Sequence, residues 1–420
     1  IKESYKIANA PATKTRDIKP LTEIKLIDPA CGSGNFLLYA FDLLYDLYTD
    51  QIEIYGADYD ESQIPELIIQ HNLHGIDLDD RAVQLAQLGL YIKVKRKKHS
   101  VKIEQFNIVS SDFFLSDYAG VKHLFENAYK RSPELENIII ELWADLQQAY
   151  KFGSLIRLEE KFSMRLHDLV QQWGNGQLFE EQTLANYKQF REDSFSNLQK
   201  AVAYNTERQG ITFLNSKTRD AISFLRLLTQ KYDVAVANPP YTDSSDFGPE
   251  LKKFVDANFK KPYKFNSNLY ATFIMRCYEF IDEKGKMALI HPLTFMYIKT
   301  FEDVRKFIIE NTHILLFVDY GPDATNVFDG SFASAPSMYI LEKRRNNNYK
   351  SVFVSLNQYT RTPQEKYKKD YCLEALNDYI QNRSNKHYYI IDQFKLKIIK
   401  SWPFIYWISD NFRSKFKLSA

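Results

Sequence analysis

The feature that most restricts the fold is a seven-residue segment, DPACGSG at positions 28–34, which lies between an apolar run and a helical pattern. Residues 23–28 (EIKLID) predict a buried strand, and apolar residues recur at helical spacing from Asn35 to about Tyr48. A strand, a glycine turn and a helix in this order are typical of the first unit of a doubly wound sheet. The segment therefore predicts an α/β fold with a ligand at the turn.

Further strands and helices alternate after this first unit. Residues 73–77 (LHGID) predict a second strand, residues 81–93 an amphipathic helix, and residues 101–109 a third strand. Four more strands are predicted at 232–237, 286–291, 314–320 and 337–342. We therefore expect a doubly wound, mostly parallel sheet of seven strands.

The same patterns divide the chain into five regions. We expect a linker at 1–22, the cofactor half of the core at 23–118, a helical insertion at 119–231, the catalytic half at 232–345, and the start of a further DNA-recognition or helical region at 346–420. Because the chain begins at Ile1 without a methionine, we interpret it as a fragment of a longer protein.

Composition excludes several classes of protein. The net charge is only +2, so a nucleic-acid surface is expected as a local patch. The three cysteines are far apart and odd in number, which predicts no disulfide framework, no metal site and a cytoplasmic location. No apolar run approaches the ~18 residues that a membrane span needs.

The residues at positions 28–34 indicate which ligand the turn binds. Glycines let the backbone approach a ligand, and N–H groups at a helix start point toward it. A nicotinamide-binding loop would have Gly or Ala three positions after Gly34, where this chain has Leu37, and no phosphate-binding Lys follows. The carboxylate of Asp28 would repel a pyrophosphate but suits an ammonium group, such as that of a methionine moiety.

Acidic residues follow the next two predicted strands. Asp77 is placed to accept hydrogen bonds from two ribose hydroxyls, whereas Asp58 is a competitor at a spacing closer to that of dinucleotide folds. Asp112 could accept from an adenine amino group, and Phe113 could pack on the adenine ring. Helix capping and core packing are the alternative roles of these residues.

A second constellation, NPPY at 238–241, directly follows the strand predicted at 232–237. Pro239 and Pro240 fix the backbone and remove two donors, so carbonyl groups point outward. The Asn238 side-chain oxygen and the Pro239 carbonyl could hold the two hydrogens of an adenine amino group, and Tyr241 could stack on the base. A base inside a duplex reaches such a site only when it is flipped out.

The segments DPACGSG, HGIDLDD, SDFF and NPPY resemble motifs I to IV of amino-methyltransferases that act on DNA. The similarity covers about residues 23–345 and is closest to adenine-specific methyltransferases of phage-exclusion systems (BREX, PglX-type) and to methyltransferase parts of type IIG restriction enzymes. It implies a class I fold, S-adenosylmethionine as cofactor, and double-stranded DNA and other phage-defence proteins as partners.

The resemblance also implies roles for single residues. Those at the methionine end of the cofactor would be Asp28, Pro29, Ala30, Gly32 and Gly34. Asp77 would hold the ribose, and Leu78, Asp112 and Phe113 would form the adenine pocket. Phe328 would pack on the flipped base opposite Tyr241, with Phe332 as its nearest rival, and the Lys252–Lys264 segment is a candidate phosphate contact.

Two departures and three alternatives stay open. The family's aromatic and Thr-Pro segment is not visible in residues 1–22, and a full target-recognition domain is not visible at the other end. The chain could instead methylate RNA, a protein amide or cytosine N4, because NPPY also suits planar amides. It could also be one part of a type IIG endonuclease, or a DNA-binding scaffold without activity.

Overall fold

The computed structural model describes residues 19–100, 103, 105–115, 117–125, 133–173, 192–204, 214–321, 335–343, 350–357 and 368–416. These residues divide into two compact units, each described by itself below. The amino-terminal unit comprises residues 21–231, and the carboxy-terminal unit comprises residues 232–420 together with Lys19 and Pro20.

The amino-terminal unit is built on three parallel strands. They are β1 (Leu26–Asp28), β2 (Leu73–Asp77) and β3 (Ile108–Ser110), with β2 in the middle. Asp28 lies beside Gly75, and Asp77 lies beside Ser110. Because parallel strands end at one edge of a sheet, the acids that follow β1, β2 and β3 are brought to the same edge.

Three helices cover these strands before the insertion: α1 (Asn35–Tyr55), α2 (Ile64–Leu67, continued by a π-helical turn at Ile68–Asn72) and α3 (Asp80–Lys97). Apolar side chains of α1 and α3, among them Leu37, Phe41, Ala86 and Leu90, are buried in one cluster. Burial of a Leu or Phe side chain contributes roughly 1.5–3 kcal/mol to stability, so this cluster holds the helices firmly against the strands.

In the region expected as a helical insertion, residues 119–231, most of the described residues are helical. Its helices are α4 (Pro133–Leu146), α5 (Ala149–Phe152), α6 (Leu158–Trp173), α7 (192–204) and α8 (Leu214–Thr229). Helical periodicity in the sequence covers 134–150, 154–172 and 181–203, so it indicates α4, α6 and α7 but not α8. A 3₁₀ turn at Gly153–Leu155 separates α5 from α6.

The carboxy-terminal unit contains six strands in the order β4-β5-β7-β6-β8-β9. Their bounds are β4 (Tyr232–Ala237), β5 (Ile281–Pro292), β6 (His313–Asp319), β7 (Pro336–Glu342), β8 (Lys350–Ser355) and β9 (Tyr388–Asp392). β4 is parallel to β5, and β6 is parallel to β8, whereas β7 and β9 run in the opposite direction. The polar corner at 238–241 is therefore at the carboxyl end of β4.

Five helices belong to the described part of this unit. They are α9 (Pro249–Phe259), α10 (Leu269–Phe280), α11 (Glu302–Asn311), α12 (Lys368–Ile380) and α13 (Asp410–Ser414). Ten of the twelve residues of α10 are buried, which makes it the central helix packed on β4 and β5. None of the described helices combines the length and apolar character that a membrane span requires.

The expectation of seven mostly parallel strands was wrong. The described residues hold nine strands, because β8 and β9 follow the seven that the sequence indicated. β8 was missed since its buried run, Ser351–Val354, is only four residues long and lies in a stretch rich in Lys and Tyr. Neighbouring strands within the units form four parallel and three antiparallel pairs, so the pairing is mixed.

Candidate active site

The glycine loop, residues 28–34, is held by backbone hydrogen bonds to β2. The Cys31 N–H donates to the carbonyl of Ile76 at 3.0 Å, and the Gly32 N–H donates to Oδ2 of Asp77 at 2.8 Å. Gly34 closes the turn by donating to the Cys31 carbonyl at 2.8 Å. The loop and the acid at the end of the next strand therefore form one connected structure.

Two glycines of this loop have positive φ but differ in the space around them. Gly34 has φ +84°, and a Cβ atom there would lie 2.8 Å from Cβ of Ala86 on α3. Gly32 has φ +51°, but a Cβ there would meet no atom within 4 Å. Gly34 thus allows α3 to approach the loop, whereas Gly32 borders open space.

Asp28 provides a buried acid at the base of the loop. Its side chain is 2% exposed, and Oδ1 accepts a hydrogen bond from the Ala30 N–H at 3.1 Å. Burial raises the pKa of Asp28 to about 7; the Ala30 N–H opposes this shift, and the negative charge of Asp77 adds to it. No Lys, Arg or His of the described residues forms an ion pair with Asp28, so the chemistry of the site fits a cationic ligand group and disfavours an anion.

Asp77 and its competitor Asp58 differ in their position relative to the glycine loop. Asp77 is half-buried, contacts the loop directly, and also accepts from the Asp79 N–H at 3.0 Å. A carboxylate has about four acceptor sites, so capacity remains for hydroxyl groups. Asp58 follows the far end of α1, whose 21 residues span about 30 Å. Asp79 caps α3 by accepting from the Arg81 N–H, as the sequence suggested.

The residues expected at the adenine pocket differ in exposure. Leu78 is 47% exposed and Asp112 is also exposed, whereas Phe113 is 3% exposed and packs edge-on against Phe224 of α8. The exposed ring beside them is that of Phe114. The Phe113 side chain is therefore a core residue, and its contribution to an adenine pocket would come from its backbone.

The NPPY corner, residues 238–241, presents an exposed amide. The Asn238 side chain is exposed, and the Tyr241 hydroxyl donates a hydrogen bond to its Oδ1 at 2.6 Å. Burial raises the pKa of Tyr241 to about 12, so the hydroxyl keeps its proton at neutral pH. Tyr241 also packs edge-on against Tyr270 of α10, with ring centroids 6.5 Å apart. The amide oxygen is thus oriented by a side chain three positions away.

His291, next to this corner, is part of the scaffold. It is fully buried, its ring stacks on Tyr270 at 4.4 Å, and Nε2 lies 2.5 Å from the Tyr339 hydroxyl. Burial lowers the pKa of His291 to about 3, so the ring is neutral. A buried, stacked imidazole whose nitrogens both have partners is not placed to act as a base.

Phe328 and its rival Phe332 lie outside the described residues, so their roles remain predictions.

The structure also shows contacts that the sequence did not indicate. Sequence reasoning missed Ser154, whose hydroxyl contacts the glycine loop from 125 residues away. It also missed the bond between Tyr241 and Asn238, although an i, i+3 spacing across two prolines could have indicated it. Cys31 is buried with a pKa raised well above its usual value, which agrees with a packing role.

A glycine loop between a strand and a helix, acids at neighbouring strand ends, and an exposed NPPY corner are together typical of α/β methyltransferases. Residues 71–328, well over half of the chain, match the family described as Eco57I restriction-modification methylase, and the chain belongs to this family. The matched range includes Asp77 and Asn238 and begins after the glycine loop.

Curated relatives extend this similarity over most of the chain. The adenine-specific methyltransferase BrxX of Escherichia coli O9:H4 (strain HS) is 24% identical and aligns with 98% of this chain and 32% of its own length. The adenine-specific methyltransferase PglX of Lacticaseibacillus casei (strain Zhang) is 24% identical over 93% of this chain and 29% of its own length. The type II restriction enzyme and methyltransferase RM.Eco57I of Escherichia coli is 21% identical over 82% and 27%, respectively. The chain therefore spans about a third of the curated relatives that it matches.

Proposed function

We propose that the full-length protein is a site-specific DNA methyltransferase that transfers a methyl group from S-adenosylmethionine to N6 of a flipped-out adenine. The observation that carries the proposal is the exposed Asn238 amide at the carboxyl end of β4, with its oxygen oriented by the Tyr241 hydroxyl. The adenine-specific relatives support the choice of adenine, and phage defence or restriction-modification is the expected biological setting.

The amino-terminal unit would hold S-adenosylmethionine. Asp28 would face the ammonium group, Gly32 would give the amino-acid portion room beside the backbone, and Asp77 would accept from the ribose hydroxyls. Leu78 and Asp112 are exposed and would border the adenine. When bound, the cofactor supplies a methyl group made electrophilic by the sulfonium. Two acids lie at the loop, and no cation of the described residues pairs with Asp28, which suits this ligand better than a pyrophosphate.

The carboxy-terminal unit would act on the target base. The adenine amino nitrogen is a poor nucleophile because its lone pair is delocalised into the ring. Asn238 Oδ1 and the Pro239 carbonyl would accept its two hydrogens, which favours a geometry with the lone pair on nitrogen. The acceptors are fixed before the base arrives, so they stabilise the positive charge that develops on nitrogen without reorganising. The surplus proton would then pass to solvent.

Aromatic rings would offset the cost of flipping the base. Removing a base from the stack costs a few kcal/mol, and stacking on an aromatic ring is worth about 1–3 kcal/mol. Tyr241 is half-buried with its ring braced by Tyr270, so it offers a rigid platform. Phe328 is the proposed second ring.

A basic surface close to the corner would contact the DNA backbone. Thr242 accepts from the Leu269 N–H at 2.9 Å, and the Ser244 N–H donates to the Ser267 carbonyl at 3.2 Å. These bonds join the segment after NPPY to residues that follow the Lys252–Lys264 segment. The exposed cations of that segment are Lys252, Lys253, Lys260, Lys261 and Lys264, and the last of these pairs with Asp303 at 2.8 Å. Phosphate contact by the first four would be strongly salt-dependent.

Transfer of a labelled methyl group tests the proposed function. The full-length protein is incubated with methyl-labelled S-adenosylmethionine and duplex DNA, RNA or total protein, and the products are hydrolysed and separated. The proposal predicts label in N6-methyladenine from DNA, and methylation-sensitive sequencing would give the site. Label in RNA, in glutamine or in N4-methylcytosine would contradict it. DNA cleavage in the same reactions would identify a combined restriction enzyme and methyltransferase, as RM.Eco57I is by name.

A further inference from the structure

The 3₁₀ turn at Gly153–Leu155, called the insertion turn below, packs on the glycine loop within the amino-terminal unit. Ser154 is 4% exposed, and its hydroxyl donates a hydrogen bond to the Pro29 carbonyl at 2.5 Å. A buried hydroxyl that bonds to a loop carbonyl holds that carbonyl in place, because breaking a buried hydrogen bond without replacing it is unfavourable.

The carbonyl that Ser154 contacts belongs to the peptide group that also bonds to Asp28. The Pro29 C=O and the Ala30 N–H are two ends of one planar unit. Its oxygen accepts from Ser154, and its N–H donates to Oδ1 of Asp28 at 3.1 Å. The orientation of this plane therefore sets how the Asp28 carboxyl is held.

The insertion turn also lies beside the ends of the other two strands. A Cβ on Gly153 would lie 3.1 Å from the Leu78 side chain and 3.4 Å from Oγ of Ser111. Tyr150, just before the turn, has its ring 5.0 Å from that of Phe114. The turn thus bonds to a residue that follows β1 and lies beside residues that follow β2 and β3, although it belongs to the insertion and not to the strands.

We propose that the insertion turn completes the cofactor site and that Ser154 is a positioning residue, which holds the Pro29–Ala30 peptide so that the Asp28 carboxyl faces the ammonium group of the cofactor. This inference rests on the proposed function for the identity of the cofactor. It assigns to the helical insertion a part in cofactor binding that the strand-end motifs alone do not supply.

Loosening of the Pro29–Ala30 peptide should change the pKa of Asp28 and, with it, the pH dependence of ligand binding. The Ala30 N–H lowers the pKa of Asp28 against the effects of burial and of Asp77. The nearby Cys31 thiol has a pKa raised well above its usual value and stays neutral at pH 7. If the peptide loosens, this lowering contribution weakens and the pKa of Asp28 rises further. As the pH is lowered, ligands with an ammonium group then begin to lose affinity at a higher pH than they do in the unaltered protein.

The test compares binding of two ligands by calorimetry between pH 6 and 9 in the full-length protein. S-adenosylhomocysteine keeps the ammonium group, and methylthioadenosine lacks it. We expect Ser154→Ala to weaken S-adenosylhomocysteine about 5- to 10-fold at pH 7, the effect of losing one hydrogen bond, and to move the affinity midpoint to higher pH. Methylthioadenosine should bind as before. Ser154→Cys, a near-isosteric weak donor, should behave like Ser154→Ala, and Ser154→Thr should restore binding.

The matched control is Ser223→Ala. Ser223 is also 4% exposed in the same unit, and its Oγ accepts from Gln105 at 2.8 Å, away from the glycine loop. It should leave both affinities unchanged. Unaltered affinity in Ser154→Ala and Ser154→Cys, or an equal loss for both ligands without a pH shift, would overturn the proposal. If the unaltered protein binds neither ligand, the proposed function itself fails.

Discussion

The glycine loop and the NPPY corner both follow the carboxyl end of a parallel strand, but they are stabilised in different ways. The loop contains two glycines with positive φ and is fixed by partners far away in sequence: Ile76, Asp77 and Ser154. The corner contains two prolines, and its amide is oriented locally, because Tyr241 bonds to Asn238 within the same four residues.

This difference matches the chemistry proposed for each site. A loop that binds a ligand through backbone N–H groups and a buried acid needs glycines for close approach and remote contacts for its shape. A corner that uses one exposed side chain and one carbonyl can be rigid by itself. Substitutions in the loop should therefore alter binding or folding, and substitutions in the corner should alter methyl transfer.

The largest effect expected from this comparison is on methyl transfer in Asn238→Ala. Loss of a preorganised acceptor should lower kcat by about 10²- to 10³-fold, while the affinity for S-adenosylhomocysteine stays within twofold. Single-turnover transfer to DNA measures this. Asn311→Ala removes a half-buried amide of α11 that donates to the Phe307 carbonyl, and it should keep full activity. Full activity in Asn238→Ala would show that the corner is not catalytic.

Asp28→Asn should affect cofactor binding in a pH-dependent way. Removing a charge-assisted contact should weaken S-adenosylhomocysteine about 10- to 100-fold at pH 8. Because the pKa of Asp28 is raised to about 7, the unaltered protein should bind fully above pH 7 and lose affinity as the pH falls below it. Calorimetry at pH 6 and 8 should show roughly a tenfold difference, and Asp28→Asn should show none.

The pH dependence of folding stability is opposite in direction to the pH dependence of cofactor binding. The pKa of Asp28 is raised from its ordinary value of 3.8, so the folded state without ligand holds an extra proton between about pH 4 and pH 7. Its free energy of unfolding should therefore fall as the pH rises through this window. A pH profile of affinity that falls with rising pH would contradict the role of Asp28.

Gly34→Ala and Gly32→Ala should separate the two uses of glycine in the loop. Both place a Cβ at positive φ, which costs about 1–2 kcal/mol. Only Gly34→Ala also forces a contact at 2.8 Å with Ala86, and overpacking adds about 1–3 kcal/mol. Urea unfolding should show the larger loss of stability in Gly34→Ala. Gly32→Ala should keep more stability but bind cofactor more weakly, and equal losses of stability would contradict this.

Tyr241→Phe should have the smallest effect. The ring that stacks on the base remains, and Asn238 loses one hydrogen bond, which is worth about 0.5–1.5 kcal/mol. We expect kcat to fall by about two- to tenfold with cofactor affinity unchanged. Tyr270→Phe, which removes a hydroxyl 3.4 Å from Thr294, is the control and should leave kcat unaltered. A loss as large as that of Asn238→Ala would give Tyr241 a chemical role beyond orientation.

Local patterns predicted much of the fold, and remote contacts explain what they missed. The strands at Leu73–Asp77 and Tyr232–Ala237 have the predicted bounds, since each is a mostly apolar run with a polar residue at its end, Asp77 in the first and Asn238 directly after the second. β3 is only Ile108–Ser110, shorter than the predicted 101–109. Phe113 was expected at the adenine, but its ring is buried against Phe224 of α8, a helix that the sequence did not indicate.

The same distinction applies to the site. Asp77 was identified because it ends an apolar strand, and its contact with Gly32 follows from parallel pairing. The contact of Ser154 could not be predicted, since no periodicity links a turn in a helical insertion to a loop 125 residues earlier. Motifs therefore locate the residues proposed to face the ligands, whereas the residues that orient them are found only in the tertiary structure.

The most direct measurement is to determine cofactor affinity and methyl transfer together for Asp28→Asn and Asn238→Ala in the full-length protein. We predict that Asp28→Asn binds S-adenosylmethionine weakly but regains transfer to DNA when the cofactor is saturating. Asn238→Ala should bind the cofactor normally and transfer almost nothing at any concentration. Normal transfer by Asn238→Ala, or normal binding at all pH values by Asp28→Asn, would contradict the assignment of methyl transfer to the NPPY corner and of cofactor binding to the glycine loop.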